Sequence, residues 1–175
     1  RHVFKNGELV AEDGDPRWEP PQRPRMGLRA SVNIPWLQGG EFKIPARTDT
    51  LRVIELQPDQ LITRQALEPA PVEGGLAIAD TERDLLKLVV LERHQASGNI
   101  GFGFVRGFEL SEGALATTIA HDAHNIIAVG TNDEDLQAAV IQLNKLGGGL
   151  AVAKGGRVIA DLALPVAGLM SRQPL

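Results

Sequence analysis

Cysteine is absent from the 175 residues. That excludes disulfides, thiolate nucleophiles, Cys-based zinc sites and any HxE…PCxxC zinc signature together, and it fits a reducing, cytoplasmic setting. No apolar run approaches the length needed to cross a bilayer, and no signal peptide is visible, so no membrane partner is expected. An excess of basic residues is also missing. With 18 Lys and Arg against 22 Asp and Glu, the formal charge of −4 gives no electrostatic reason to expect nucleic acid. Methionine does not occur before Met26 and the chain opens at Arg1, so a piece of a longer or processed polypeptide is expected.

Apolar residues make up 43% of the chain, enough for a core. The length suits one domain, or one domain with a small extra layer. Residues 3–10 read as a β-hairpin around Asn6-Gly7, a pair that supplies the positive φ of a type I′ turn. A second hairpin is expected from residues 150–153 and 157–162 around Lys154-Gly155-Gly156. Four prolines between residues 15 and 24 make that stretch a linker or a covering loop. From residue 51 short apolar runs suggest strands at 51–56, 75–79, 85–91, 100–105, 114–120 and 125–129. One helix is clear. Thr131 and Glu134 form a capping box, Leu136, Val140 and Leu143 share a face, and Gly147 stops it. Residues 59–70 are open between a short helix capped by Asp59 and a loop. The fold class expected is α+β: β-sandwich strands and a linker over 1–50, then over 51–175 a mixed or antiparallel sheet carrying one packed helix.

Between two apolar strands lie His121, Asp122, His124 and Asn125. Two imidazoles, a carboxylate and an amide are able to bind a metal, shuttle a proton or read a purine edge. They are equally the residues of an ordinary turn. On a regular strand His121 and His124 face opposite ways, so both reach one point only if the chain turns at Asp122-Ala123. The second dense region is 92–108, where Gly98, Gly101, Gly103 and Gly107 mark close backbone approach, tight packing or a bulge. Arg93, His94 and Arg106 flank it, as candidates for binding a purine, a carboxylate or a partner domain, with surface salt bridges as the plainer reading. Gly147-Gly148-Gly149 follows a helix C-terminus, where the dipole repels anions, so helix termination explains it better than phosphate binding. Asp13-Gly14-Asp15 lacks the further ligands that a calcium loop needs.

Taken in order, Glu92-Arg93-His94, residues 98–101 and 103–108, residues 120–126, residues 130–135, Gly147-Gly148-Gly149 and residues 164–171 resemble the C-terminal part of the microbial adenine deaminases of the amidohydrolase superfamily. The resemblance covers essentially all of residues 84–171, and the opening hairpin looks like a strand pair of the small β-sandwich that accompanies amidohydrolase barrels. What it implies is hydrolysis of adenine to hypoxanthine and ammonia, assisted by Mn²⁺ or Fe²⁺. The metal would be held in an N-terminal barrel, beginning with a His-x-His pair, and no His-x-His occurs here. No metal ligand is therefore expected within this chain, and alone it is expected to be inactive. The expected partners are adenine, the barrel of the same protein and further copies in a homo-oligomer. His121, Asp122, His124 and Asn125 would close the pocket, orient substrate or support the metal shell, with Arg93, His94 and Arg106 as pocket-closing candidates. Two departures from the family pattern stand out: Ala123 where Ser is common, and Glu109 where Gly is. Two other functions compete: a non-catalytic interaction or oligomerisation module, and a relative acting on another purine or cyclic amide.

Overall fold

Asn6 and Gly7 both take left-handed dihedrals, φ +52° and +85°, as a type I′ turn requires. The turn joins β1 (His2–Lys5) to β2 (Glu8–Glu12). Asp13 and Gly14 repeat the device and return the chain into β3 (Asp15–Pro16), completing a three-stranded antiparallel sheet. The Asp13-Gly14-Asp15 triplet is thus a hairpin turn. The computed structural model describes residues 1–17 and 31–171, so most of the proline-rich 15–24 stretch lies outside the described residues.

Next in the chain come β4 (Ile44–Pro45), β5 (Thr50–Leu56), β6 (Thr63–Pro69), β7 (Val72–Glu73) and β8 (Leu76–Ala77). They lead into β9 (Leu86–Leu91), β10 (Ile100–Arg106), β11 (Ala114–Thr117) and β12 (Ile126–Gly130). Helix α1 (Asp133–Leu146) comes after them, then β13 (Gly149–Lys154) and β14 (Arg157–Ala163). Eight strands form one sheet in the order β14-β13-β11-β12-β9-β10-β5-β6. Every neighbouring pair is antiparallel except β10 with β5, so the sheet is mixed and the fold class is α+β. No helix among the described residues is long and apolar enough to cross a membrane.

The stretch left open between helix and loop holds neither along most of its length. Asp59 adopts φ +55° in a turn, and residues 63–69 pair with β5 as the edge strand β6. Its residues are exposed or half-buried, which leaves little apolar alternation to read. The run expected at 114–120 stops at Thr117. Thr118 is fully buried, and its hydroxyl donates to the Gly168 carbonyl while accepting the Gly149 amide at 2.8 Å.

Helix α1 begins one residue later than the Thr131–Glu134 spacing suggests. Asn132 is the cap: its Oδ1 accepts the Asp135 amide at 2.8 Å, and its Nδ2 donates to Asp135 Oδ2 at 2.7 Å. Thr131 is spent on the Gly113 carbonyl. Asp135 is 3% exposed and also accepts the Gly156 amide at 2.7 Å, which ties the helix start to the β13–β14 turn. At the other end Gly147 has φ +73°, and the Gly148 amide reaches the Leu143 carbonyl. A Cβ on Gly148 would collide with the Gly168 backbone, so the glycine run admits the C-terminal turn as well as ending the helix.

Leu136, Ala139, Val140 and Leu143 are wholly buried against Val89, Leu91, Ala116, Ile126, Ala128 and Ala151 on one face of the sheet. Each fully buried leucine or valine contributes roughly 1.5–3 kcal/mol. Upstream of the expected division at residue 50, Val32, Leu37 and Phe42 belong to this same core. Gly101 and Gly103 on β10 show neither tight packing nor a bulge. The β9–β10 register is continuous, and a Cβ at either glycine would make only ordinary contacts at 3.8 Å.

Candidate functional site

Glu92 comes directly after β9 and organises the loop that leads to β10. Its carboxylate accepts the amides of His94, Gln95 and Ser97 and the Ser97 hydroxyl, and the Ser97 amide chiefly pulls its pKa down to about 2. The loop so folded turns Arg93 inward. Arg93 is only 1% exposed, and its guanidinium meets three backbone carbonyls from distant parts of the chain. Nε donates to His124, Nη1 to Ser31 and Nη2 to Ala167, the last at 3.1 Å. Gly168 lies flat against the same group: a Cβ there would sit 2.9–3.0 Å from the guanidinium atoms. No carboxylate among the described residues forms an ion pair with Arg93, and burial lowers its pKa from the ordinary guanidinium value. The group stays charged all the same.

The chain does turn after Ala120, closed by the His124 amide donating to the Ala120 carbonyl at 2.9 Å, with His124 at φ +48°. The four polar residues of that turn do not converge. His121 and Asp122 are 99% and 95% exposed and bond only to each other among the described residues, Nδ1 donating to Oδ1 at 2.9 Å. His124 faces the other way, into a cavity of about 340 Å³ that it lines with Arg93, His94, Asn33, Ala167 and Leu169. His94 Nε2 donates to the Ala123 carbonyl at 2.8 Å, so its tautomer is fixed by the turn it holds. Two buried atoms in this turn have no hydrogen-bond partner among the described residues, His124 Nδ1 and Asn125 Oδ1.

The structure therefore brings together Arg93, His94 and His124, leaves His121 and Asp122 in solvent, and places Asn125 beside the cavity's wall in sequence. Arg106 is elsewhere. It closes β10 at the end away from Arg93, roughly 20 Å along the strand by length. There it bonds Glu68 Oε1 at 2.6 Å, reaches Glu55 at 3.5 Å, and has its pKa raised chiefly by Glu68. For Arg106 the salt-bridge account holds; for Arg93 it fails, because the partners are carbonyls. Sequence reasoning missed Ser31, Asn33 and Ala167. Ser31 and Ala167 act through main-chain oxygen, which any residue supplies, so no side-chain signal marks them.

Among the described residues no group of three or more His, Cys, Asp or Glu side chains is arranged to hold a metal ion. What the geometry defines is an α+β domain whose polar loops meet at one end of a mixed sheet around a cationic cavity. The pattern of the adenine deaminase C-terminal domain matches residues 60–175, and the chain belongs to that family. It is 46% identical over 173 residues to an adenine deaminase of Dehalococcoides mccartyi, covering 99% of this chain and 30% of that protein. Similarity to adenine deaminase 2 of Carboxydothermus hydrogenoformans is 43% over 175 residues, covering 100% of this chain and 31% of that protein. Similarity to an adenine deaminase of Halalkalibacterium halodurans is 44% over 179 residues, covering 98% and 30%. The chain thus spans about 30% of the length of these curated relatives.

Proposed function

We propose that this chain serves as the C-terminal part of a cytoplasmic adenine deaminase of amidohydrolase type, acting in purine salvage or adenine catabolism. The reaction adds water at C6 of adenine, expels the exocyclic amine as ammonia and leaves hypoxanthine. Mn²⁺ or Fe²⁺ would supply an activated hydroxide from a portion resembling the longer relatives' remaining length. The described residues do not form such a metal site, so this chain's own part is to bound and shape the pocket. In this reading the Arg93–His94–His124 cavity and the exposed His121–Asp122 pair face the mouth of that barrel, and the enzyme is a homo-oligomer.

One observation carries the reading. Two segments singled out by their resemblance to adenine deaminases, Arg93-His94 and the turn holding His124, thirty-one positions beyond Arg93, line a single cavity. The test is an adenine-to-hypoxanthine absorbance assay with Mn²⁺, run on the longer polypeptide and on this chain alone. Turnover is expected from the first and none from the second. In the longer polypeptide, His124→Ala is expected to lower turnover at least about tenfold, on the scale of a lost positioning group. Unchanged turnover in His124→Ala and His121→Ala with reduced thermal stability would favour a purely structural interaction module.

A further inference from the structure

Helix α1 covers one face of the eight-stranded sheet, and the other face is just as apolar. Across β9, β12, β11, β13 and β14 the register aligns Val90, Ile127, Thr117, Leu150 and Leu162 in one row. A second row runs beside it from Leu88 through Leu115 to Ala160, apolar at every position. Both rows alternate along their strands with the residues that meet α1, such as Val89, Ala116 and Ala151, so they point away from the helix. Thr117 is the one polar side chain in them, and its hydroxyl accepts the Ile119 amide at 3.0 Å. An antiparallel sheet with a wet face alternates apolar with polar, and strands apolar on both faces are those buried on both. At one end Leu56 and Leu110 pack against Leu86, Val105 and Val129. Among the described residues no such cover reaches the other end, where Leu150 and Leu162 are 40% and 54% exposed. Residues 31–42 lie on the α1 side, where Val32, Leu37 and Phe42 join the helix core.

We infer that this second face is a docking surface for the remaining length of the longer polypeptide, which seats an uncharged, apolar patch on Leu150, Leu162 and their neighbours. The face offers no charge and no unmet hydrogen bond, so a polar partner would gain nothing there. Leu115, Ile127, Leu150 and Val152, with Phe108 beside them, line a depression of about 260 Å³. That is below the roughly 300–1,000 Å³ of small-molecule clefts and suits protruding apolar side chains. The bare part spans four strands, about four residues deep, on the order of 250 Å² by strand spacing and rise. Even doubled for side-chain relief it falls short of the roughly 800 Å² per partner that a stable dimer of separate molecules buries. Contacts between domains of one chain are stable at smaller areas, because the tether supplies a high effective concentration. The chain spans about 30% of its relatives' length, which leaves ample polypeptide to provide the cover.

The test is hydroxyl-radical footprinting, read by mass spectrometry against a free reference peptide, on this chain and on the longer polypeptide. In this chain Leu150, Leu162 and Phe108 should label readily, while Leu136, wholly buried under α1, should not. In the longer polypeptide the Leu150 and Leu162 rates should fall at least about fivefold, the scale of water exclusion at an interface core. A tethered contact does not depend on protein concentration, so this protection should survive dilution. Leu150 and Leu162 labelling equally in the two forms would overturn the proposal. So would protection already present in this chain, or protection that fades on dilution as a second copy leaves. The inference rests on reading this chain as one part of a longer polypeptide, and not on the reaction. Turnover without protection sinks the docking alone, and protection without turnover sinks the deaminase reading alone.

Discussion

The Nε–H of Arg93 donates to the carbonyl oxygen of His124, thirty-one positions further along the chain. The same guanidinium holds Ser31 and Ala167, so one side chain fastens three loops around the candidate cavity. Replacing it with Met would strand three carbonyls in a buried place, and we expect a loss of about 3 kcal/mol or more. Arg93→Lys should recover only part, since an ammonium lacks the planar fork that reaches three separate oxygens. Urea denaturation of the two variants measures this. Equal stabilities for Met and Lys, or a loss under about 1 kcal/mol, would contradict the fastening role.

The helix start supplies a second expectation. Asn132→Ala removes the cap and should cost about 1 kcal/mol. Asp135→Ala also strands the Gly156 amide at the β13–β14 turn and should cost more, roughly 2–3 kcal/mol. Thr131→Val removes two long bonds, the hydroxyl's donation to Gly113 and its acceptance from Asn132 Nδ2, and should cost least. The order Asp135, Asn132, Thr131 in denaturant midpoints is the observation to check. If Thr131→Val were the most damaging of the three, the cap would be wrongly placed.

That capping shift shows how far the sequence is legible here. Residues 131–135 are Thr, Asn, Asp, Glu and Asp, and several pairs among them have capping spacing. The choice falls to Asn132 because Gly113 occupies Thr131 and Gly156 occupies Asp135, two contacts made by distant segments. The hairpins and α1 are readable because their signals are local: Asn6-Gly7, Gly155-Gly156, and the Leu136, Val140, Leu143 stripe. The edge strand β6 is not, since its inward positions Ala66 and Glu68 are only half-buried and carry one small apolar residue, while Leu67 points outward, so no apolar period-2 pattern marks it. Among the candidate site residues, nearness in sequence misleads for Arg106, which lies at the far end of an extended strand from the Arg93 loop. It misleads again for His121, which the turn directs away from His124.

Acid should loosen the Arg93 loop through Glu92. Its pKa in the folded chain is about 2, held down first by the Ser97 amide, against an ordinary 4.5. A carboxylate depressed on folding stabilises the fold at pH values above its unfolded pKa, and that contribution is lost as pH falls towards the folded pKa. Between about pH 4.5 and 2 the parent should therefore lose Tm more steeply than Glu92→Gln. Glu41, also lowered to about 2, chiefly by the Gln38 amide, contributes in the same window, so the variant's slope should shrink without vanishing. Parallel curves for parent and Glu92→Gln across that range would show that the loop's hydrogen bonds are not formed by the ionised carboxylate.

Lys87 gives a sharper test of how the helix sits on the sheet. It is 3% exposed on β9, and its ammonium bonds Asp133 Oδ1 at 2.6 Å and the Phe42 carbonyl at 3.3 Å. Asp133 opens α1, where a carboxylate also favours the helix N-terminus. Removing it leaves a buried cation with a carbonyl alone, and Asp133→Ala should cost roughly 2 kcal/mol, less than a fully buried pair because Asp133 is partly exposed. Lys87→Met replaces the cation with an apolar side chain of similar length, in a strand whose neighbours Leu86, Val89 and Leu91 are fully buried. If the two groups act through each other, adding Asp133→Ala to Lys87→Met should cost at least about 1 kcal/mol less than adding it to the parent. A double-mutant cycle in urea reads that difference directly. Additive losses would mean that the close approach of the two side chains contributes nothing, and that α1 is seated without it, by its apolar face, its Asn132 cap and the Asp135–Gly156 bond.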